Sequence, residues 1–174
     1  MKTIVVTGPE STGKTAVSAY LAEVLNCPWV PEYAREYIGS LTRTYTYDDL
    51  LHITESQISQ KKEAEKSNPS ILVLDTWLII TKVWFIEVFN EYPECIDQYL
   101  ANHRIDLYLI CLPDIPWVPD PLRENGGEKR NYLLKRYMEE IKNSGSEFVL
   151  IGGADEKRYA NALNAVKHHL KLSQ

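Results

Sequence analysis

Apolar residues fall along the chain in short unbroken runs, separated by longer stretches in which they recur every three or four positions. The runs are TIVV at 3–6, ILVL at 71–74, LYLIC at 107–111 and FVLI at 148–151, with a weaker PWV at 28–30. Runs without polar alternation predict parallel strands covered on both faces. Between them the spacing is helical. Val17, Tyr20, Leu21, Val24 and Leu25 share one helix face, and Asn26 with Pro28 ends it. Thr46 followed by Asp49 reads as a capping box opening another helix, whose buried stripe begins with Tyr47, Leu50 and Leu51. From Trp77 to Phe89 nearly every position is apolar, which predicts a helix enclosed on most sides; Pro93 separates it from a continuation to about Leu100. Two further helices carry Leu133, Leu134, Tyr137 and Ile141, ending near Gly145, and Tyr159, Ala162, Leu163, Val166 and Leu170.

Strands alternating with helices at these intervals predict a doubly wound α/β fold, a five-stranded parallel sheet with helices on both faces and right-handed crossovers. One segment breaks the rhythm. PDIPWVPDPLRENGG, at 113–127, holds four prolines and two glycines between a strand and a helix. It is expected to form an irregular insert over about 113–128, a functional loop or lid. No repeat or linker divides the 174 residues, which read as one domain.

Composition changes this picture little. Charged residues make up 25% and apolar ones 44%, as in an ordinary globular chain. A net charge of −5 argues against a broad nucleic-acid surface, which needs many Lys and Arg contacts to phosphate. Cys27, Cys95 and Cys111 are widely spaced without a CxxC pair, so they are expected to be reduced, mostly packed thiols. No segment approaches the ~20 apolar residues of a membrane span, and the first apolar run is too short for a signal-peptide core, so a cytoplasmic protein is expected.

The candidate chemistry begins where the first strand meets the first helix. In TGPESTGKT, residues 7–15, Gly8, Gly13, Lys14 and Thr15 match G-x-x-x-x-G-K-[ST] in its required strand-to-helix setting. Such a loop directs successive backbone N–H groups at a nucleotide phosphate at the positive end of the following helix. Lys14 would reach the β- and γ-phosphates and Thr15 a Mg²⁺ ion. The expected nucleotide-binding set is Gly8, Glu10, Ser11, Thr12, Gly13, Lys14, Thr15 and Ala16. Asp75, closing ILVLD, is the candidate second metal residue, and it also suits the N-cap of the next helix.

Absent signatures narrow the class. There is no N-K-x-D stretch, Thr76 rather than a second acid follows Asp75, and no L-S-G-G occurs. A small-molecule kinase is the remaining reading, and the expected fold is a P-loop NTPase-type three-layer sandwich, nucleoside/nucleotide-kinase-like, with a lid insert. Such a kinase requires an acid for the attacking hydroxyl, a substrate pocket and lid cations. Glu32 and Glu36 in VPEYAREY would share one side of a helical turn, unless they are solvated charges. The insert supplies Arg123 and, just beyond it, Arg130 and Arg136; an arginine closing over the γ-phosphate would neutralise charge on the transferred group, a role favoured for Arg123, while Arg130 and Arg136 read either as further lid cations or as ordinary helix-surface charges. Among the aromatics, Trp117 in the insert is favoured for stacking a flat substrate over Trp77 and Trp84, which suit a core. Gly152 and Gly153 suit an adenine-side loop or a plain turn.

GPESTGKT, VPEYARE, YTYDDLL, LDT and DIPWVPDPLREN together resemble the kinase portion of bacterial ribosylnicotinamide kinases and the related compact P-loop ATPases of an AAA family. The resemblance spans about residues 2–166 in the same order. It implies ATP- and Mg²⁺-dependent phosphorylation of the 5′-hydroxyl of nicotinamide riboside to nicotinamide mononucleotide. It also implies ATP phosphates on Gly8 to Thr15, magnesium near Thr15 and Asp75, substrate contacts around Glu32, Tyr33 and Arg35 and a lid at Asp120 to Asn125. From the residues themselves, Lys14, Glu32, Asp75 and Arg123 are the expected catalytic set, Arg123 is expected to contact the nucleotide as well, and Trp117 and Asp120 are expected near the substrate. Two departures stand out. Trp77 occupies the second acidic position of a D-T-D pattern, and the H-x-G-H type motif of the adenylyltransferase domain carried by longer family members is absent. The rival readings are a regulatory nucleotide switch and a kinase for another nucleoside.

Overall fold

The computed structural model describes residues 1–171. Its strands are β1 (Lys2–Thr7), β2 (Trp29–Val30), β3 (Ile71–Asp75), β4 (Leu107–Cys111) and β5 (Phe148–Ile151). Its helices are α1 (Lys14–Val24), α2 (Tyr33–Ser40), α3 (Tyr47–Glu65), α4 (Leu78–Phe89), α5 (Cys95–Asn102), α6 (Glu128–Asn143) and α7 (Asp155–Leu170). All strand pairs are parallel, in the order β2-β3-β1-β4-β5. The chain leaves β1 for one edge, returns to its side through β3, then crosses to build β4 and β5. The strand order therefore reverses around β1, and in open parallel sheets ligands bind in the crevice beyond such a point.

Unbroken apolar runs make sense because both sheet faces are covered. On one face Ile4, Val6, Val73, Leu107 and Leu109 pack with Val17 and Leu21 of α1 and Ala162 and Val166 of α7. On the other, Val5, Leu72, Leu74 and Ile110 pack with Leu50 of α3, Leu78 of α4 and Ile141 of α6. Each fully buried aliphatic side chain contributes about 1.5–3 kcal/mol of transfer free energy, which offsets the entropy of ordering the chain. The expected strands and helices are all present. The expected capping box opens α3: the Asp49 carboxylate accepts from the Thr46 N–H at 2.7 Å and its hydroxyl at 2.8 Å. Arg43, the largest influence on Asp49, joins Thr46 and Tyr37 in holding its carboxyl well below the usual range.

Two expectations change, and the one of free, mostly packed cysteines holds with Cys95 as its exception. Arg130 is buried rather than on a helix surface. Cys95 is exposed, while Cys111 is buried and Cys27 half-buried. Glu32 is the N-cap residue of α2, with φ −66° and ψ 101°, so it stands outside the helical spacing that was expected to align it with Glu36. Among the described residues no helix is long and apolar enough to cross a membrane.

Candidate active site

The loop after β1 is shaped by two glycines. Gly8 has φ +138°, and a Cβ there would stand 2.5 Å from the carbonyl oxygen of Cys111, so the backbone turns hard against the end of β4. Gly13, at φ +78°, is the N-cap residue of α1. That end of α1 has neither a side-chain cap nor an acidic residue in its first turn. Its N–H groups are left for an anion, as the helix dipole favours. Within the loop, the Lys14 ammonium donates to the Pro9 carbonyl at 3.0 Å and the Thr12 hydroxyl donates to the same oxygen at 2.8 Å.

This loop forms one wall of a cavity of about 690 Å³. Gly8, Glu10, Ser11, Thr12, Gly13, Lys14, Thr15, Ala16, Glu32, Arg35 and Arg123 all line it. The Glu32 side chain caps nothing and so remains available to a ligand. Glu36 is exposed and lies off the lining. Tyr33, Asp75, Trp117, Asp120, Gly152 and Gly153 are not lining residues either.

Asp75 sits behind the loop at the end of β3, only 2% exposed, and neither of its carboxylate oxygens has a hydrogen-bond partner. Burial pushes its carboxyl up to about 6 against the nearby Thr15 hydroxyl; the Glu32 charge adds to the rise and the Lys14 ammonium opposes it. A buried carboxylate without a donor is costly unless a cation completes it. Next to it Thr76 has φ +70°, an unfavourable conformation for a β-branched residue, and it lines the cavity with its hydroxyl oxygen unpartnered.

The far wall comes from α4. Ile80, Thr81, Trp84, Glu87 and Val88 line the cavity from one helix face, while Leu78, Ile79, Val83 and Phe85 are buried in the protein. The Trp84 indole donates to the Tyr45 hydroxyl at 3.1 Å, with the rings edge-on at 5.0 Å. The buried Thr81 hydroxyl donates to Gln57 of α3 at 3.0 Å. Trp77, by contrast, is 2% exposed and belongs to the core. Thus Trp84 lines the cavity and Trp117 does not; Trp117 packs over Gly126. The helix reads as apolar all round because one of its faces meets a cavity instead of protein. Periodicity alone does not distinguish the two.

The insert lies over the loop. Glu10 accepts from the Glu124 N–H at 3.2 Å, the Asn125 N–H at 2.9 Å and the Asn125 side-chain amide at 2.8 Å. Ser11 accepts from the Val118 N–H at 3.0 Å. Arg130 donates to the Ser11 carbonyl at 3.0 Å and the Ile115 carbonyl at 3.1 Å. Arg35 pairs with Asp120, and Arg123 donates to the Val118 carbonyl at 2.5 Å. On the other side, the buried Arg158 donates to the carbonyls of Thr12 at 2.9 Å and Gly153 at 2.7 Å and pairs with Asp114, whose carboxylate also accepts from the Gly153 N–H at 2.7 Å. Tyr33 shares a 2.8 Å hydrogen bond with His52. Arg130 and Arg158 look like ordinary helix charges in the sequence, and nothing local marks their burial.

The residues fit a magnesium nucleotide. Mg²⁺ in phosphoryl-transfer sites is held by one or two side chains together with phosphates. The orphaned Asp75 carboxylate beside Thr15 offers that donor set, and the uncapped α1 end with Lys14 suits the phosphates.

A family model described as an AAA domain matches residues 3–158. The chain belongs to this AAA domain family. A trifunctional NAD biosynthesis/regulator protein, NadR, of Salmonella typhimurium is 25% identical over 173 residues, covering 96% of this chain and 42% of that protein. The chain thus spans less than half the length of this curated relative. Solved structures of NadR resemble it at 26% identity: one in complex with NR, at TM-score 0.82, covers 99% of this chain and 52% of that one. Another, with NAD and AMP-PNP, has TM-score 0.79 and covers 99% and 50%. Thymidylate kinase from Ehrlichia chaffeensis, at 15% identity and TM-score 0.68, covers 96% and 97% and shares the fold. The AAA domain chain has the P-loop kinase fold.

Proposed function

We propose that this AAA domain protein is an ATP-dependent kinase that transfers the γ-phosphoryl group to the 5′-hydroxyl of nicotinamide riboside, giving nicotinamide mononucleotide, and that residues 1–174 act as one kinase domain with a lid at about 113–128. The observation that carries this reading is a shared cavity. The phosphate-binding loop, Glu32 and an aromatic wall built from Trp84 and Tyr45 open onto the same space. A donor phosphate, an acid and a flat, cationic acceptor would meet there. The likeness along nearly the whole chain to NadR, solved in complex with NR, supports the choice of acceptor.

The roles follow from the chemistry. Backbone N–H groups from Gly8 to Ala16 cradle the phosphates, and Lys14 exchanges the Pro9 carbonyl for phosphate oxygens. Asp75 and the Thr15 hydroxyl hold Mg²⁺, which supplies charge neutralisation on the transferred group. Glu32, with Asp75 as second choice, orients the 5′-hydroxyl and accepts its proton as the oxygen attacks. Arg123 offsets charge developing on the γ-phosphoryl group. Arg35 and Asp120 hold the lid edge near the acceptor, with Tyr33 and Trp117 behind it. Gly152 and Gly153 flank the adenine side.

The test is turnover of the purified protein with Mg-ATP and a panel of nucleosides. ADP release that depends on nicotinamide riboside and yields its monophosphate is the expected result. Slow hydrolysis unchanged by any nucleoside contradicts it and favours a regulatory switch; turnover with a different nucleoside keeps the kinase and replaces the acceptor.

A further inference from the structure

We infer that Glu10 is a positioning residue whose carboxylate latches the 120–125 turn of the lid to the tip of the phosphate-binding loop, and so fixes where Arg123 stands. A carboxylate in this loop calls for an explanation. It lines the same cavity as Lys14 and would repel a triphosphate at close range. Its oxygens, however, are already committed. Oε1 accepts from the Glu124 N–H and the Asn125 side-chain amide, and Oε2 from the Asn125 N–H. Two successive backbone donors and one side-chain donor suit an acceptor-only group with four lone-pair sites.

The neighbouring loop residue holds the other end of the lid. Ser11, at φ +55°, accepts from the Val118 N–H, and Arg130 clamps the Ser11 and Ile115 carbonyls together. Arg123 lies between these anchors. Its N–H is bonded to the Asp120 carbonyl at 3.0 Å and its guanidinium to the Val118 carbonyl. Loss of the Glu10 anchor leaves the Ser11 contact, the Arg35–Asp120 pair and the Tyr45–Glu124 hydrogen bond in place, so the 123–125 end of the turn loosens without the fold coming apart. The consequence for turnover rests on the kinase reading. A displaced lid misplaces Arg123 and admits water, whose oxygen attacks the γ-phosphorus while the bond to the ADP oxygen breaks, yielding ADP, inorganic phosphate and a proton.

Two measurements on the full chain test the latch. The first is hydrogen exchange of residues 118–127 with Mg²⁺ and AMP-PNP present, in the unaltered protein and in Glu10→Ala, Glu10→Gln and Asn125→Ala. Glu10→Ala is expected to speed exchange there about tenfold or more, Asn125→Ala less, and Glu10→Gln, which keeps one acceptor oxygen, less than alanine. The second is the ratio of ADP formed to nucleoside phosphorylated. It is expected to rise several-fold in Glu10→Ala and less in Asn125→Ala, while exchange of the sheet amides stays native, a split that general loosening of the fold does not produce. Unchanged exchange over 118–127 in Glu10→Ala overturns the latch, as does an unchanged ratio of ADP to phosphorylated nucleoside in a protein that phosphorylates one. If no nucleoside is phosphorylated by the unaltered protein, the kinase reading fails and the exchange result decides the latch by itself.

Discussion

Asp75 concentrates the energetic tension of the site in one side chain. Its carboxyl is buried, unpartnered and pushed up to about 6. The folded value lies above the unfolded ~3.9, so its contribution to stability is whole below about pH 4 and is lost as pH rises through 6, about 2–3 kcal/mol by pH 7.5. In metal-free buffer, Asp75→Asn is therefore expected to be more stable than the unaltered protein at pH 7.5, with the gap shrinking toward pH 5; urea melts at the two values measure it, and a pH-independent gap contradicts it. On the proposed role of Asp75 as a Mg²⁺ ligand, the same substitution is also expected to weaken Mg-ATP binding. Arg123 makes the complementary case. On its proposed role, its substitution by alanine is expected to lower kcat by about 10² or more with a smaller effect on nucleotide affinity, because its charge would count mainly when the phosphoryl group is in transit; steady-state kinetics measure this. Both positions stand out in the sequence, one at a strand end and one in the insert. Thr76 does not, since no sequence signal announces a left-handed threonine.

Among the elements, α4 carries the most information about substrate. Positions 80, 84, 87 and 88 follow the i, i+4, i+7, i+8 spacing of one face, and that face borders the cavity. Replacing Trp84 by alanine removes the ring and leaves the Tyr45 hydroxyl with Glu124 as its partner. The acceptor KM is expected to rise about tenfold or more while ATP binding holds, and acceptor titrations at saturating ATP give the answer. Strand positions, the capping box at Thr46 and Asp49 and the phosphate loop could be read directly, because each depends on residues close together in the chain. The wall of the cavity depends on what lies opposite a helix. An apolar stripe facing a ligand and one facing another helix have the same sequence, so Trp84 and Trp117 exchange their expected places.

At the scale of the whole molecule, the sheet order and the two buried arginines tie the site to the fold. Four unbroken apolar runs and a weaker fifth implied a parallel sheet, but the order β2-β3-β1-β4-β5 rests on pairings between distant segments. Arg130 and Arg158 bind loop carbonyls 119 and 146 residues away, beyond the reach of any periodicity. Arg158→Met is expected to cost about 2–4 kcal/mol of unfolding free energy, because the Thr12 and Gly153 carbonyls lose their donor in a buried setting; urea denaturation checks the size. The central claim joins all three scales: one cavity brings ATP and a riboside together for direct transfer. Its most direct test is the fate of label from [γ-³²P]ATP incubated with Mg²⁺, nicotinamide riboside and the purified protein. The account predicts label on the 5′-oxygen as nicotinamide mononucleotide, in step with ADP and abolished by Lys14→Ala; label found only in inorganic phosphate would contradict it.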